Sequence, residues 1–173
     1  MFARLPVILL GALLSVAACA QEQKDATASA PVAAEAGKNY FLIEPPQPTS
    51  SGDKIEVLEV FSYACVHCAH FQPYADEIKS KLPAYAQFEY LPAIFNDQWE
   101  AYARAFYCAQ SLGVLDKTHQ AVFNAVHRDH RPFRSFNDIA AFYGEQGVDS
   151  EKFTQLATSF EVQSKLARSK SLV

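Results

Sequence analysis

The sequence has few of the features that mark several large classes of protein. It contains no run of five or more basic residues and its formal net charge is −4, so a nucleic-acid partner is not expected. It contains no internal repeat and no apolar run of the roughly 20 residues that a membrane-spanning helix needs. What it does contain is 50% hydrophobic and 13% aromatic residues, enough for the packed core of one domain, or of one domain with an insertion.

The first 20 residues are typical of a signal peptide. Arg4 supplies the positive charge, residues 5–16 form a short apolar segment, and small residues follow. Two cleavage sites are compatible with this pattern. Ala18-Cys19-Ala20 fits cleavage before Gln21, whereas Val16-Ala17-Ala18-Cys19 is similar to a bacterial lipobox, in which Cys19 becomes a lipid-modified N-terminus. Either site predicts an exported chain in a compartment where disulfides persist.

The rest of the chain divides into three parts by composition. Residues 21–38 are alanine-rich and polar and predict a flexible tether. Residues 39–96 predict strands at 40–43, 55–61 and 87–91, with a helix from Cys65 to about Leu82 between the last two. A strand–helix–strand unit of this kind predicts a parallel pair of strands.

Residues 97–173 predict a helical block. Apolar and aromatic residues recur there at helical spacing, and they are expected to form a core. Start and stop signals divide the block into four helices. These signals are Gly113, Asp116, Ser135, Gly147, and Asp149 or Ser150.

A pair of cysteines lies where the predicted helix of the first part begins. Cys65 follows a buried strand, so its sulfur is expected among the unpaired backbone N–H groups of the first helical turn, where negative charge is stabilised. His67 lies in the same turn and can stabilise a thiolate further. Cys68 lies one turn deeper, within reach of a disulfide. A stabilised thiolate is a stabilised reduced form, so the disulfide becomes a stronger oxidant.

Four interpretations of this pair can be compared. A structural disulfide is disfavoured because a bridge across two residues restrains the unfolded chain little. A zinc site would need further ligands, and no second CxxC motif is present. Haem attachment requires histidine after the second cysteine, where the chain has Ala69. A catalytic dithiol is the interpretation that the sequence favours.

The stretch EVFSYACVHC, residues 59–68, resembles the active-site segment of the DsbA family of thiol:disulfide oxidoreductases. The stretch AFYCAQSLGVLDKTHQAVFNAVH is similar to the helical insert of that family, and the resemblance runs from about Tyr40 to the end. It implies an α/β, thioredoxin-like fold with a helical insertion domain, and no bound cofactor or metal. It also implies that Cys65 is the exposed nucleophile, that Cys68 is the buried partner that reforms the bridge, and that His67 tunes the thiolate.

The resemblance further implies partners and a location. The clients would be folding exported proteins with free cysteines, and a DsbB-like membrane protein with quinone would reoxidise the pair. The compartment would be the periplasm, with the membrane contacted only through a lipid on Cys19. The alternatives are an envelope reductase or isomerase, and a non-catalytic, lipid-anchored fragment with a relic disulfide.

Two departures from the family pattern stand out. Val66 occupies the position where the commonest family motif has proline. The family also has a cis-proline loop, two strands and a C-terminal helix, for which no residues follow, and no proline occurs after Pro132. The C-terminal strands and helix are therefore expected to be missing, and the chain as written is expected to be poorly stable and weakly active.

A few other polar residues carry expectations. Cys108 is expected to be a small buried free thiol, because it lies on an apolar helix face. Three histidines, His119, His127 and His130, are expected at the surface. Glu59 is either a buried acid near the cysteines, as occurs in thioredoxin-like proteins, or a solvent-facing residue of its strand.

Overall fold

Two parallel strands and the helix between them carry the cysteine pair. The computed structural model describes residues 33–173, and residues 43–173 form one compact unit. Strand β1 (Ile55–Phe61) leads into helix α1 (Val66–Lys81), and strand β2 (Ala86–Pro92) returns beside β1. The strands pair in parallel from Ile55↔Ala86 to Phe61↔Pro92, so the predicted strand–helix–strand unit is confirmed.

The chain before β1 differs from the prediction. The signal peptide predicted at 1–20, and the tether up to residue 32, lie outside the described residues. The strand predicted at residues 40–43 is wrong. Tyr40 makes only an isolated bridge to Ala36, and Phe41, Leu42 and Ile43 are exposed. A strand needs a neighbour for its backbone hydrogen bonds, and no strand in the described part of the chain pairs with this segment.

After β2 the described chain is helical. The elements are α2 (Asp97–Ser111), α3 (Leu115–Phe123), a π-helical turn (Asn124–Arg128), α4 (Phe136–Glu145), α5 (Ser150–Leu156) and α6 (Phe160–Leu172). Side chains of Asn96, Ser135, Asp149 and Ser159 accept backbone N–H groups at the starts of α2, α4, α5 and α6. None of the helices in residues 33–173 combines the length and apolar character that crossing a bilayer requires.

Two start signals were misread. The helix after Gly113 begins at Leu115 with Val114 as its N-cap, so Asp116 lies in the first turn and is not the cap. The single last helix is in fact two, because Ser159 accepts the N–H of Val162 and so starts a new helix. Phe160, the first residue of that new helix, is 88% exposed although it follows Phe153 and Leu156 at helical spacing.

The end of β1 is anchored in the helical block. Phe61 and Tyr63 are both 1% exposed and lie edge to face, with ring centroids 5.3 Å apart. The Phe61 ring contacts that of Phe106 on α2 at 5.2 Å, and the Tyr63 ring contacts that of Phe123 on α3 at 4.9 Å. Because Tyr63 precedes Cys65 by two residues, this aromatic core fixes where α1 begins.

Helix α1 exposes several large apolar residues that recur along it at helical spacing. Phe71, Tyr74 and Ile78 are 40%, 61% and 39% exposed. The buried residues of α1 are Gln72 and Ala75. The helix continues without interruption through Pro73. The 3–4 spacing of apolar residues predicted the helix but not which side of it packs inward.

Candidate active site

The sulfur of Cys65 occupies the position of a helix-capping oxygen. Cys65 is the N-cap of α1, with extended backbone angles of φ −89° and ψ 112°. Its Sγ accepts the backbone N–H of Cys68 at 3.3 Å. Its own N–H donates to the carbonyl of Ser62 at 3.0 Å, and its carbonyl accepts the N–H of Ala69 at 3.1 Å. The sulfur therefore lies at the positive end of the helix dipole, next to an N–H donor.

Cys68 lies one turn further into α1 and is half-buried. Burial raises the pKa of its thiol to about 11, and the hydrogen bond to Cys65 and nearby negative charge act in the same direction. At neutral pH Cys68 is therefore protonated when the pair is reduced. A sulfur in this environment must gain a proton when the bridge opens and lose one when it reforms.

All three predicted site residues lie within one helical turn. His67 lies between the two cysteines and is exposed, and Val66 is 43% exposed. The described residues 33–173 hold no cluster of three or more histidine, cysteine or acidic side chains arranged to bind a metal. The reactive groups that this turn presents are two thiols and one imidazole.

Glu59 is the acid that lies behind the cysteines. Its Oε2 is buried and has no hydrogen-bond partner in the protein. Burial raises the pKa of its carboxyl to about 7, and the charge of Asp76 contributes. The charge of Glu59 in turn raises the pKa of Cys68. Of the two alternatives left by the sequence, the structure supports the acid near the cysteines, with a side chain that is half-buried.

Two histidines hold the segment that leads into Cys65, and the prediction that they lie at the surface is wrong. His119 is 8% exposed, and its Nδ1 lies 2.7 Å from the hydroxyl of Tyr63. His127 is partly buried, and its Nε2 lies 2.8 Å from the carbonyl oxygen of Tyr63. His130 is exposed as expected and adopts a positive φ of 49°.

The burial of His119 could have been predicted from its spacing along the sequence, although histidine is usually a surface residue. His119 precedes Val122 and Phe123 by three and four residues, so the three share one face of α3. All three are buried. Burial lowers the pKa of His119 to about 3, so the ring is neutral at physiological pH.

Cys108 differs from the two cysteines of this turn because its thiol is unreactive. It is fully buried and free, as predicted from its helix face. Burial raises the pKa of its thiol to about 12. It is therefore a packing residue with an inert thiol.

The chain is similar to known proteins along most of its length, although no family model matches it. It is 38% identical over 137 residues to the thiol:disulfide interchange protein DsbA of Pseudomonas aeruginosa, covering 79% of this chain and 65% of that protein. It is 30% identical over 165 residues to the DsbA of Azotobacter vinelandii, covering 95% of this chain and 77% of that protein. The chain thus spans just under two thirds of the length of the first of these relatives.

The fold is shared with solved structures of these proteins. The crystal structure of Pseudomonas aeruginosa DsbA superposes with a TM-score of 0.70 and 37% identity, over 75% of this chain and 68% of that one. The predicted thioredoxin-like α/β fold with a helical insertion is confirmed by this likeness.

Proposed function

The chain belongs to the DsbA family of thiol:disulfide interchange proteins, and on that premise we propose that it oxidises pairs of cysteines in folding exported proteins. The observation that carries this proposal is the position of the Cys65 sulfur, which accepts the Cys68 N–H at the start of α1. An anion at this place is stabilised by the helix end, and stabilising the reduced thiolate makes the disulfide a stronger oxidant.

The reaction consists of two thiol–disulfide exchanges. A client thiolate attacks the Cys65 sulfur of the Cys65–Cys68 disulfide, a client–Cys65 bond forms, and the Cys68 sulfur leaves with the electron pair. A second client thiolate then attacks the client sulfur of this mixed disulfide and releases Cys65 as a thiolate. The client has lost two electrons and gained a disulfide, and Cys65 and Cys68 are reduced.

Three residues support the two sulfurs. His67 lies in the same helical turn and stabilises the Cys65 thiolate as an imidazolium or an N–H donor. Glu59 exchanges a proton with Cys68, because its carboxyl is half protonated near neutrality and its charge acts on that thiol. Tyr63 holds the entry to the turn through its contacts with His119 and His127.

The remaining features of the proposal concern location and partners. The chain works in the periplasm, on clients with free cysteines, and a DsbB-like membrane protein returns the pair to the disulfide by passing electrons to quinone. No bound cofactor takes part. A lipid on Cys19 would attach the chain to the membrane and leave residues 21–38 as the tether.

The experiment is to equilibrate the Cys65–Cys68 pair against glutathione buffers and to follow oxidation of a reduced, unfolded client. We expect a readily reduced bridge, client oxidation, no oxidation by Cys65→Ser, and a trapped client adduct with Cys68→Ser. Cys108→Ser is the matched control and should behave as the unchanged chain. A bridge that resists reduction by glutathione contradicts the proposal. It indicates a reductase when the reduced pair reduces client disulfides, and a relic disulfide when the pair does not react with clients. A readily reduced bridge that rearranges client disulfides without net oxidation indicates an isomerase.

A further inference from the structure

A polar pocket opens near the start of helix α1, where α1 packs against the π-helical turn. Its volume is about 210 Å³. The polar side chains that line it are those of His70, Gln120, Asn124, His127 and Arg128. Pockets for whole drug-sized ligands usually have volumes of about 300 Å³ or more, so this pocket suits the end of a single side chain.

The pocket lies on the side of α1 that carries Cys65. Ala69 and His70 line it, and Ala69 follows Cys65 by four residues and donates its N–H to the Cys65 carbonyl at 3.1 Å. Residues three and four apart along a helix are neighbours on one face, so Cys65, Val66, Ala69 and His70 form one stripe. Val66 in this stripe is 43% exposed. A client sulfur that reaches Cys65 therefore has the pocket about one helical turn away, or about 5 Å along α1.

The lining of the pocket carries positive charge and no carboxylate. Arg128 supplies a guanidinium, and His70 supplies an imidazole that donates a hydrogen bond in either protonation state. Asp129 pairs with Arg128 through Nε at 2.8 Å and Nη2 at 3.1 Å, which leaves Nη1 available to a ligand. Both partners of this pair are exposed, so the pair is weak and competes little with a ligand. The cavity on the other side of α3 has the opposite character, because Asp76 and Asp116 line it.

Hydrogen bonds hold the wall of the pocket that α3 and the π-helical turn provide. Gln120, Asn124, His127 and Arg128 follow one another at helical spacing and lie on one face. Gln120 Nε2 donates to Asn124 Oδ1 at 3.0 Å, which leaves the Asn124 amide nitrogen as a donor. His127 donates from Nε2 to the carbonyl of Tyr63 at 2.8 Å, since a carbonyl only accepts. The wall is thus fixed relative to the segment that leads into Cys65.

We propose that this pocket binds an acidic side chain of the client, two or three residues from the client cysteine that attacks Cys65. The carboxylate accepts hydrogen bonds from the Arg128 guanidinium and from the N–H groups of His70 and Asn124. An extended client chain advances about 3.3 Å per residue, so two or three residues cover the distance of one helical turn. The inference rests on the proposed function, because it assigns a client preference to the same site.

The pocket should affect the rate of exchange and not the redox equilibrium of the bridge. The client carboxylate contacts the pocket only while the client is bound, so it stabilises the encounter and the mixed disulfide with Cys65. The free disulfide and the free dithiol are unaffected. Exposed charge pairs contribute little and are screened by salt, so we expect a preference of about threefold to fivefold that disappears at high ionic strength.

The first experiment measures the rate at which single-cysteine peptides open the Cys65–Cys68 bridge. One peptide carries glutamate two residues to either side of its cysteine, and a second carries glutamine at both positions. The ratio of the two rates should be about threefold to fivefold higher for the unchanged chain than for Arg128→Gln. Comparing ratios between chains cancels the effect of glutamate on the peptide thiol itself. Arg134→Gln, an exposed arginine beside a separate pocket at the start of α4, is the control and should keep the ratio of the unchanged chain.

Two further comparisons test the position and the charge of the pocket. Glutamates placed six residues from the cysteine should give the same ratio in the unchanged chain and in Arg128→Gln. Gln120→Glu adds a carboxylate to the lining without changing the pair of Arg128 and Asp129, and it should lower the ratio. Equal ratios for the unchanged chain and Arg128→Gln overturn the proposal. A ratio that falls in Arg128→Gln but not in Gln120→Glu also overturns it, because the effect then comes from the unpaired Asp129.

A second measurement does not require the bridge to react. The same peptides, with serine in place of cysteine, are added in excess to the unchanged chain, and the side-chain N–H signals of Arg128 and Asn124 are followed by nuclear magnetic resonance. We expect the glutamate peptide to shift both signals and the glutamine peptide to shift neither. The absence of these shifts overturns the proposal. Shifts together with a bridge that resists reduction would remove the proposed function and leave the pocket, and a readily reduced bridge without shifts would do the opposite.

Discussion

The hydroxyl of Tyr63 lies 2.7 Å from Nδ1 of His119, in a fully buried contact between residues 56 positions apart. Tyr63 precedes the cysteine pair, and His119 belongs to α3 of the helical block. The carbonyl of the same tyrosine is bound by His127 at 2.8 Å. The helical block thus holds the entry to the CxxC turn at both a side chain and the backbone.

Replacement of Tyr63 by phenylalanine should destabilise the chain without emptying its core. The ring remains, but Nδ1 of His119 loses its buried partner, so we expect the free energy of unfolding to fall by about 1–3 kcal/mol. Denaturant unfolding measures this change. Tyr74→Phe is the control, because Tyr74 is 61% exposed, and it should change stability little. Equal stabilities for the two variants would show that the contact contributes nothing.

The stability of the chain should fall on acidification because His119 is buried in its neutral form. The pKa of His119 is lowered from its ordinary 6.5 to about 3, so the unfolded chain takes up a proton in this range that the folded chain does not. From about pH 7.5 to about pH 5 this residue should lower the free energy of unfolding by about 2 kcal/mol. The drop should be absent in His119→Gln and retained in His130→Gln. A His119→Gln chain with the full acid dependence would contradict the assignment.

Glu59 should lower the stability of the chain as the pH rises, opposite to the effect of His119. The pKa of its carboxyl is raised from 4.5 to about 7, so the folded state favours the protonated form. The stability contributed is complete below the ordinary value and is lost as pH rises through 7. Glu59→Gln should therefore be more stable than the unchanged chain at about pH 8, by about 1–2 kcal/mol after allowance for solvent screening, and differ little at about pH 4. Glu89→Gln on β2 serves as the control, and a pH-independent effect of Glu59→Gln would refute the expectation.

His67 should influence the redox equilibrium more than the fold. Its side chain is exposed, so we expect His67→Ala to leave the stability of the chain nearly unchanged. Loss of an imidazole near the Cys65 thiolate should shift the equilibrium with glutathione toward the disulfide about threefold to tenfold, or about 15–30 mV. His70→Ala, an exposed histidine one turn further along α1, is the matched comparison. The hypothesis fails when both variants keep the equilibrium of the unchanged chain.

The elements around the cysteines could be predicted because their signals are local. A β-branched apolar run that ends at Phe61 predicted β1. A stretch with apolar residues at helical spacing before Pro83 predicted α1, and an apolar run before Pro92 predicted β2. The predicted ends of all three elements lie within one or two residues of the observed ends. Residues 40–43 show the limit of such signals. They have the composition of a strand, but pairing depends on a neighbour that composition does not reveal.

The candidate active site also has features that the sequence predicted and features that it did not. The sequence by itself determined that Cys65 begins a helix with Cys68 one turn along, because capping and helical spacing act between residues a few positions apart. Only the tertiary structure decided that the Glu59 carboxyl is partly buried and acts on Cys68, that His119 is buried against Tyr63, and that Phe71 and Tyr74 of α1 are exposed. Each of these outcomes depends on which elements pack together in three dimensions, and the local sequence around Glu59, His119 or Phe71 does not contain that information.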